Sequence, residues 1–91
     1  GVYVSVTVID GKRHPGITNI GYKPTIGEKF KGVETHIFDF DEDLYGRDIE
    51  VKLLHYRRPE QKFSSREELK TQMENDIAFG REFFHESGIN G

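Results

Sequence analysis

Val2, Val4, Val6 and Val8 alternate with Tyr3, Ser5, Thr7 and Ile9, and Asp10-Gly11 follows at once. A period of two in β-branched and aromatic residues sends alternate side chains to opposite faces of a strand, and an Asp-Gly pair suits the positive φ angles of a tight hairpin turn. The start of the chain is thereby committed to antiparallel β structure. Because the strand begins at residue 2 with no lead-in, the chain reads as cut close to a structural element.

Between Lys12 and Lys31 the pattern is broken by Pro15-Gly16, Gly21, Pro24 and Gly27, with Gly32 just beyond. A short strand, Ile17 to Ile20, is expected there between two loops. Val33 to Phe40 alternates again, with Glu34, His36, Phe38 and Phe40 on one face. Asp41-Glu42-Asp43 and Tyr45-Gly46 make a turn, and Asp48 to Tyr56 forms the next strand, with Ile49, Val51 and Leu53 sharing a face and Pro59 beyond its end. The last third changes period. Ser64 and Glu67 have capping-box spacing, and Leu69, Met73, Ile77, Gly80 and Phe84 recur every three or four residues, which predicts one helix over about 65–86 with Gly88 as its stop. Gly80 inside that helix is either a point of close packing or a local weak point. Short strands followed by one helix point to a mainly β fold, a small antiparallel barrel or sandwich with the helix laid against it.

Ninety-one residues, 34% hydrophobic and 32% charged, allow one small domain, and eleven aromatic side chains (seven Phe, four Tyr) give it large groups to bury. The net charge of −3 gives no basic face for nucleic acid or an anionic membrane. With no cysteine, disulfides and thiolate metal sites are excluded. There is no apolar run of membrane-span length and no signal-peptide layout at the start, so the chain reads as cytoplasmic.

Several side chains could carry chemistry, each beside a plainer reading. Glu34 on an inward aromatic face would hold its proton more tightly and could act as a base, or its end of the strand is simply solvated. Asp39, Asp41 and Asp43, two apart, could present three carboxylates to a hard cation, but the calcium-loop pattern is incomplete and a solvated acidic turn suffices. The glycines of the 11–32 segment with Lys12, Arg13, Lys23, Lys29 and Lys31 could approach a phosphate, or form ordinary turns. Arg57-Arg58-Pro59 ends a strand; an arginine there could stack on or donate to a ligand with Phe63 flanking the same pocket, or pair with Glu60 on the surface. The four histidines have no metal-ligand spacing.

Five ordered segments carry a resemblance. Gly1-Val2-Tyr3, Thr18-Asn19-Ile20-Gly21-Tyr22-Lys23-Pro24-Thr25, Val33-Glu34-Thr35-His36, Asp43-Leu44-Tyr45-Gly46 and Arg58-Pro59-Glu60-Gln61-Lys62-Phe63 follow one another as in the riboflavin kinase (flavokinase) family, which includes the C-terminal kinase module of bifunctional FAD-synthesising enzymes. The resemblance spans nearly the whole chain. It implies a six-stranded Greek-key barrel with a C-terminal helix, a single domain over 1–91, transferring the γ-phosphoryl of MgATP to the 5′-hydroxyl of riboflavin to give FMN. Glu34 falls at the family's catalytic position, Ile37, Asp39 and Tyr45 at nucleotide-contacting positions, and Arg58, Gln61 and Phe63 at flavin-contacting positions.

One family segment has no match in these residues. It is a glycine-rich stretch ending in Pro-Thr-Ala-Asn, N-terminal to the first strand, that supplies the Mg2+ and phosphate ligands. The resemblance therefore implies a piece of a longer flavokinase, with a barrel lacking its first strand, poorly active by itself and belonging to a protein in which an adenylyltransferase domain could also be present. The alternative is a non-catalytic barrel that binds flavin or a protein partner.

Overall fold

Val2 to Ile9 and Lys12 to Thr25 form the hairpin that the alternation and the Asp-Gly pair predict. Asp10 (φ 50°) and Gly11 (φ 81°) are both left-handed, and Ile9 pairs with Lys12 across the two-residue turn. The computed structural model describes residues 1–25 and 28–87, with the backbone alone at 22–25, 28–31 and 87. Its elements are β1 (Val2–Ile9), β2 (Lys12–Thr25), β3 (Glu28–Ile37), β4 (Ile49–Arg58) and α1 (Arg66–Ser87). The expected helix stop at Gly88 lies outside the described residues.

All pairings are antiparallel, in the order β3-β2-β1-β4. Three strands joined consecutively, with the fourth returning beside the first, make the Greek-key order. The closed six-stranded barrel does not form among the described residues. They build a four-stranded open sheet whose edges are β3 and β4, with α1 against one face.

β2 is longer than the short strand expected from its prolines and glycines. Pro15 is accommodated because its carbonyl accepts from Phe38 N at 2.9 Å. In an antiparallel ladder a residue's N–H and C=O point to the same neighbour, so the missing N–H of Pro15 is directed past the last paired residue of β3, Ile37. At Gly16 a side chain would run into the backbone of His36 and Ile37. The glycine is thus required by the close approach of two strands.

The core lies between the sheet and α1. Val2, Val4, Val6 and Ile17 from the sheet meet Phe84 of the helix and Phe38, which turns inward just beyond β3. Each such side chain removed from water contributes about 1.5–3 kcal/mol. The other face of β1 carries Ser5, Thr7 and Ile9, all buried, and Thr18 links Ser5 (2.8 Å) to Thr35 (2.9 Å) in a chain of hydroxyls across β1, β2 and β3. Ile49, Val51 and Leu53 do share a face, paired with Ile9, Thr7 and Ser5, and each remains more than a third exposed because β4 is an edge.

β4 is irregular at two points, and both bear on its contact with the helix. The register skips Leu54 between the Ser5 and Val4 pairs, and Arg57 between the Tyr3 and Val2 pairs. Each skip is a bulge that turns two consecutive residues to one side. Leu54 packs against the core cluster while His55 stacks on Phe79 and Phe83 of α1, and Arg57 and Arg58 both reach the helix.

Candidate active site

α1 starts where its cap dictates. Ser65 Oγ accepts from Glu68 N at 3.2 Å, and the Glu68 carboxylate reaches back to the N–H of Ser64 (2.8 Å) and to its hydroxyl. The capping pair is therefore Ser65 and Glu68, one residue later than the expected Ser64 and Glu67. Those hydrogen bonds hold the Glu68 carboxyl below its ordinary range.

The apolar stripe of α1 divides in two. Ile77, Gly80 and Phe84 pack on the core, while Leu69 and Met73, 41% and 46% exposed, overhang the end of the sheet. Beneath that overhang is a cleft of about 370 Å³, floored by Val2, Ile17 and Asn19, with Glu34, Thr35 and His36 of β3 at one side. Arg58, Gln61, Phe63 and Asp76 close it opposite, with Leu69 and Met73 above. A second groove of about 360 Å³ runs on the far side of Gln61 and Phe63, between Lys62 and Glu67, Glu68, Thr71 and Gln72. Phe63 is half-buried between the two.

Four of the seven expected site residues thus meet in one cleft: Glu34, Arg58, Gln61 and Phe63. Glu34 is exposed at its rim, so the aromatic burial that would have raised its proton affinity is not its environment. The shared face of Glu34 and Phe38 is broken because β3 ends at Ile37 and the chain turns at Phe38 and Asp39. Ile37, Asp39 and Tyr45 lie outside the cleft. Asp39, left-handed at φ 52°, binds Arg81 of α1 through both oxygens (2.9 and 3.1 Å), which lowers its pKa, and Arg81 lies 4.9 Å from the Phe38 ring centre. Tyr45 is 94% exposed, and its N–H donates to Asp43 Oδ1 at 2.9 Å. The three aspartates do not converge: no group of metal-ligating side chains forms among the described residues. The side chains of Lys23, Lys29 and Lys31, expected near a phosphate, lie outside the described set.

The main residue that sequence reasoning missed is Asp76, 4% exposed midway along α1 and facing the sheet. Arg58 grips it with Nε to Oδ1 at 3.0 Å and Nη2 to Oδ2 at 2.7 Å. Arg57 Nε (2.8 Å) and Gln72 Nε2 (3.2 Å) also donate to Oδ1. Arg58 therefore pairs with the helix and not with Glu60 on the surface. Burial is the largest single influence on the Asp76 carboxyl and raises its pKa, but the hydrogen bonds from Arg58, Arg57 and Gln72 with the Arg58 charge outweigh it, and the net direction is down. Arg57 also lies 4.2 Å over the Phe79 ring. One carboxylate thus holds two guanidinium groups, Arg58 at the cleft wall opposite Glu34 and Arg57 on the side of Phe79.

The family model described as "Flavokinase: Riboflavin kinase" matches residues 1–84. The chain is 46% identical over 93% of its length to the trifunctional protein RibF/MnmA of Mycoplasmoides gallisepticum, covering 13% of that protein. It is 45% identical over 92% of its length to the bifunctional riboflavin kinase/FMN adenylyltransferase of Escherichia coli K12, covering 27% of it. A crystal structure described as a macrolide-efflux protein from Streptococcus pneumoniae superposes with a TM-score of 0.80 at 31% identity, over 89% of this chain and 27% of that one. The chain thus spans under a third of each of these proteins. With an ordered motif series, a Greek-key sheet carrying a C-terminal helix, and a family model matched over residues 1–84, the chain belongs to the riboflavin kinase family.

Proposed function

We propose that this chain is a riboflavin kinase module that transfers the γ-phosphoryl group of ATP to the 5′-hydroxyl of riboflavin, giving FMN and ADP. The observation that carries the reading is the cleft in which Glu34, Arg58, Gln61 and Phe63 come together in a chain of this family. A flavin is a flat, largely apolar ring system with polar edges. The cleft has matching parts: Phe63, Leu69 and Met73 for the ring faces, Arg58 and Gln61 as donors to its acceptor oxygens.

Glu34 at the opposite rim accepts the proton of the ribityl hydroxyl as that oxygen bonds to the γ-phosphorus and the bond to the β–γ bridging oxygen breaks, leaving ADP. Because phosphoryl transfer is catalysed mostly by positioning and charge neutralisation, a carboxylate placed at the rim suffices for this role. β3 continues from Glu34 to Ile37, and the turn beyond carries Asp39. A nucleotide lying along the Ile37, Asp39 and Tyr45 end would bring its γ-phosphate toward Glu34 without entering the flavin cleft.

Mg2+ enters this reading with ATP. The described residues do not fit it: no three or more His, Cys, Asp or Glu side chains among them converge as a metal-binding group. No step is therefore routed through the metal. In this reading residues 1–91 are one kinase domain, a cytoplasmic one, in a protein that could also carry an adenylyltransferase domain like its bifunctional relatives. No described helix is long and apolar enough to cross a membrane.

The test is FMN production from riboflavin and MgATP by the full-length protein, with Glu34→Gln as the variant. General-base loss should lower kcat by about 10²–10⁴-fold while riboflavin binding is kept. Unchanged turnover removes Glu34 from the mechanism, and no FMN from the unaltered protein leaves a binding module.

A further inference from the structure

We infer that Asp76 is a positioning residue for flavin recognition: it holds the Arg58 guanidinium at the cleft wall with donors turned toward the ligand. The inference rests on the kinase reading above.

Three of the five N–H donors of Arg58 are engaged, by Asp76 Oδ1, Asp76 Oδ2 and the Pro59 carbonyl at 3.1 Å. One N–H on each of Nη1 and Nη2 stays uncommitted among the described residues. An arginine on a strand end would ordinarily sample many rotamers, and fixing it after the ligand arrives costs binding free energy. Asp76 fixes it beforehand. The fork-to-carboxylate geometry sets the plane of the guanidinium as well as its position, which a single contact could not do.

Arg57 buttresses the same carboxylate from another side. The bulge at Arg57 brings a second guanidinium to Asp76 from the side of Phe79, where it packs over that ring. Both Arg58 and Asp76 line the cleft and Arg57 does not. That difference separates positioning from mere stability.

The experiment is a titration of riboflavin fluorescence with the full-length protein and its Asp76→Asn, Arg58→Gln, Arg57→Gln and Asp76→Asn/Arg58→Gln variants, with Tm measured for each. Arg58→Gln and Asp76→Asn are each expected to raise the riboflavin Kd about tenfold, and the double variant no further, because Asp76 acts through Arg58. In steady state KM for riboflavin should rise with kcat nearly kept. Arg57→Gln should lower Tm yet leave Kd within about twofold, since a purely structural cluster would move both together.

Wild-type affinity in folded Asp76→Asn, or effects of the two single variants that multiply, would overturn the inference while leaving the kinase reading intact. If unaltered protein does not bind riboflavin, the kinase reading itself fails and takes the inference with it. Should Asp76→Asn not fold, Asp76→Glu serves: it keeps the charge but displaces Arg58 by a methylene, so a raised Kd at a near-native Tm supports positioning and an unchanged Kd refutes it.

Discussion

Gly80 of α1 lies directly against the ring edge of Phe38: a methyl group added at Gly80 would stand 2.7 Å from Phe38 Cζ and 3.0 Å from Ile17 Cδ1. The glycine is a point of close packing between the helix and the turn that ends β3, and that contact holds α1 over the sheet.

Gly80→Ala should therefore destabilise the protein even though alanine is the better helix former. The propensity gain is about 1 kcal/mol, whereas overpacking a core contact costs about 1–3 kcal/mol. Phe38 has little room to retreat, since Phe84 meets its ring at right angles and Arg81 covers it. A net loss of about 1 kcal/mol, read as a fall in Tm of about 4–8 °C for a domain of this size, is the expected result. A rise in Tm would show that the ring moves freely.

Ser65→Ala should cost about 1 kcal/mol by removing the acceptor for the Glu68 N–H, while Ser64→Ala should cost clearly less, because Ser64 keeps its backbone N–H to Glu68. Urea midpoints of the two variants settle which serine caps the helix. Equal losses would contradict the assignment of Ser65.

The β1–β2 hairpin was legible in the sequence because both of its determinants, the period of two and the Asp-Gly turn, are local. The length of β2 was not, since Pro15 is tolerated only because β3 has already ended beside it. The helix start was legible to within one residue: Ser64 and Ser65 both stand three residues before a glutamate, and only geometry chooses between them. Four of the seven expected site residues, as much as 29 positions apart in sequence, from Glu34 to Phe63, were singled out through their motifs and meet in one cleft. Asp76 escaped because its two arginine partners are 18 and 19 residues away and reach it through a bulge that no alternation pattern announces.

Asp76 also predicts how stability responds to acid. Its folded pKa lies below the ordinary 3.8, so its contribution is fully present above that value and is lost as pH falls through the lower, folded one. Asp76→Asn lacks this contribution at every pH. Urea midpoints of the wild type and the variant should differ most at neutral pH and draw together below about pH 4. The Asp39 and Glu68 carboxyls, also lowered, titrate in the same window in both proteins and cancel in the comparison. A gap that stayed constant down to pH 2 would mean that Asp76 carries no charge-dependent stability.

Phe63 lines both grooves and is half-buried between them, so in the proposed reading it should carry the stacking contact with a flavin. Titrating riboflavin and FMN, each with and without MgADP, should give saturable fluorescence quenching, because an aromatic ring stacked on the isoalloxazine offers the excited state a route to decay. Phe63→Ala should weaken binding about tenfold, since a stacked aromatic contributes about 0.5–1.5 kcal/mol beyond the area it buries. Leu69→Ala, on the opposite lip, should weaken it less, having no ring to stack. Asp39→Ala provides the contrast: its side chain is exposed and outside the cleft, so flavin affinity should be unchanged while the KM for ATP rises if the nucleotide lies along the end of β3. Quenching that survives Phe63→Ala would move the flavin out of this cleft, and an Asp39→Ala effect on flavin alone would exchange the two proposed sites.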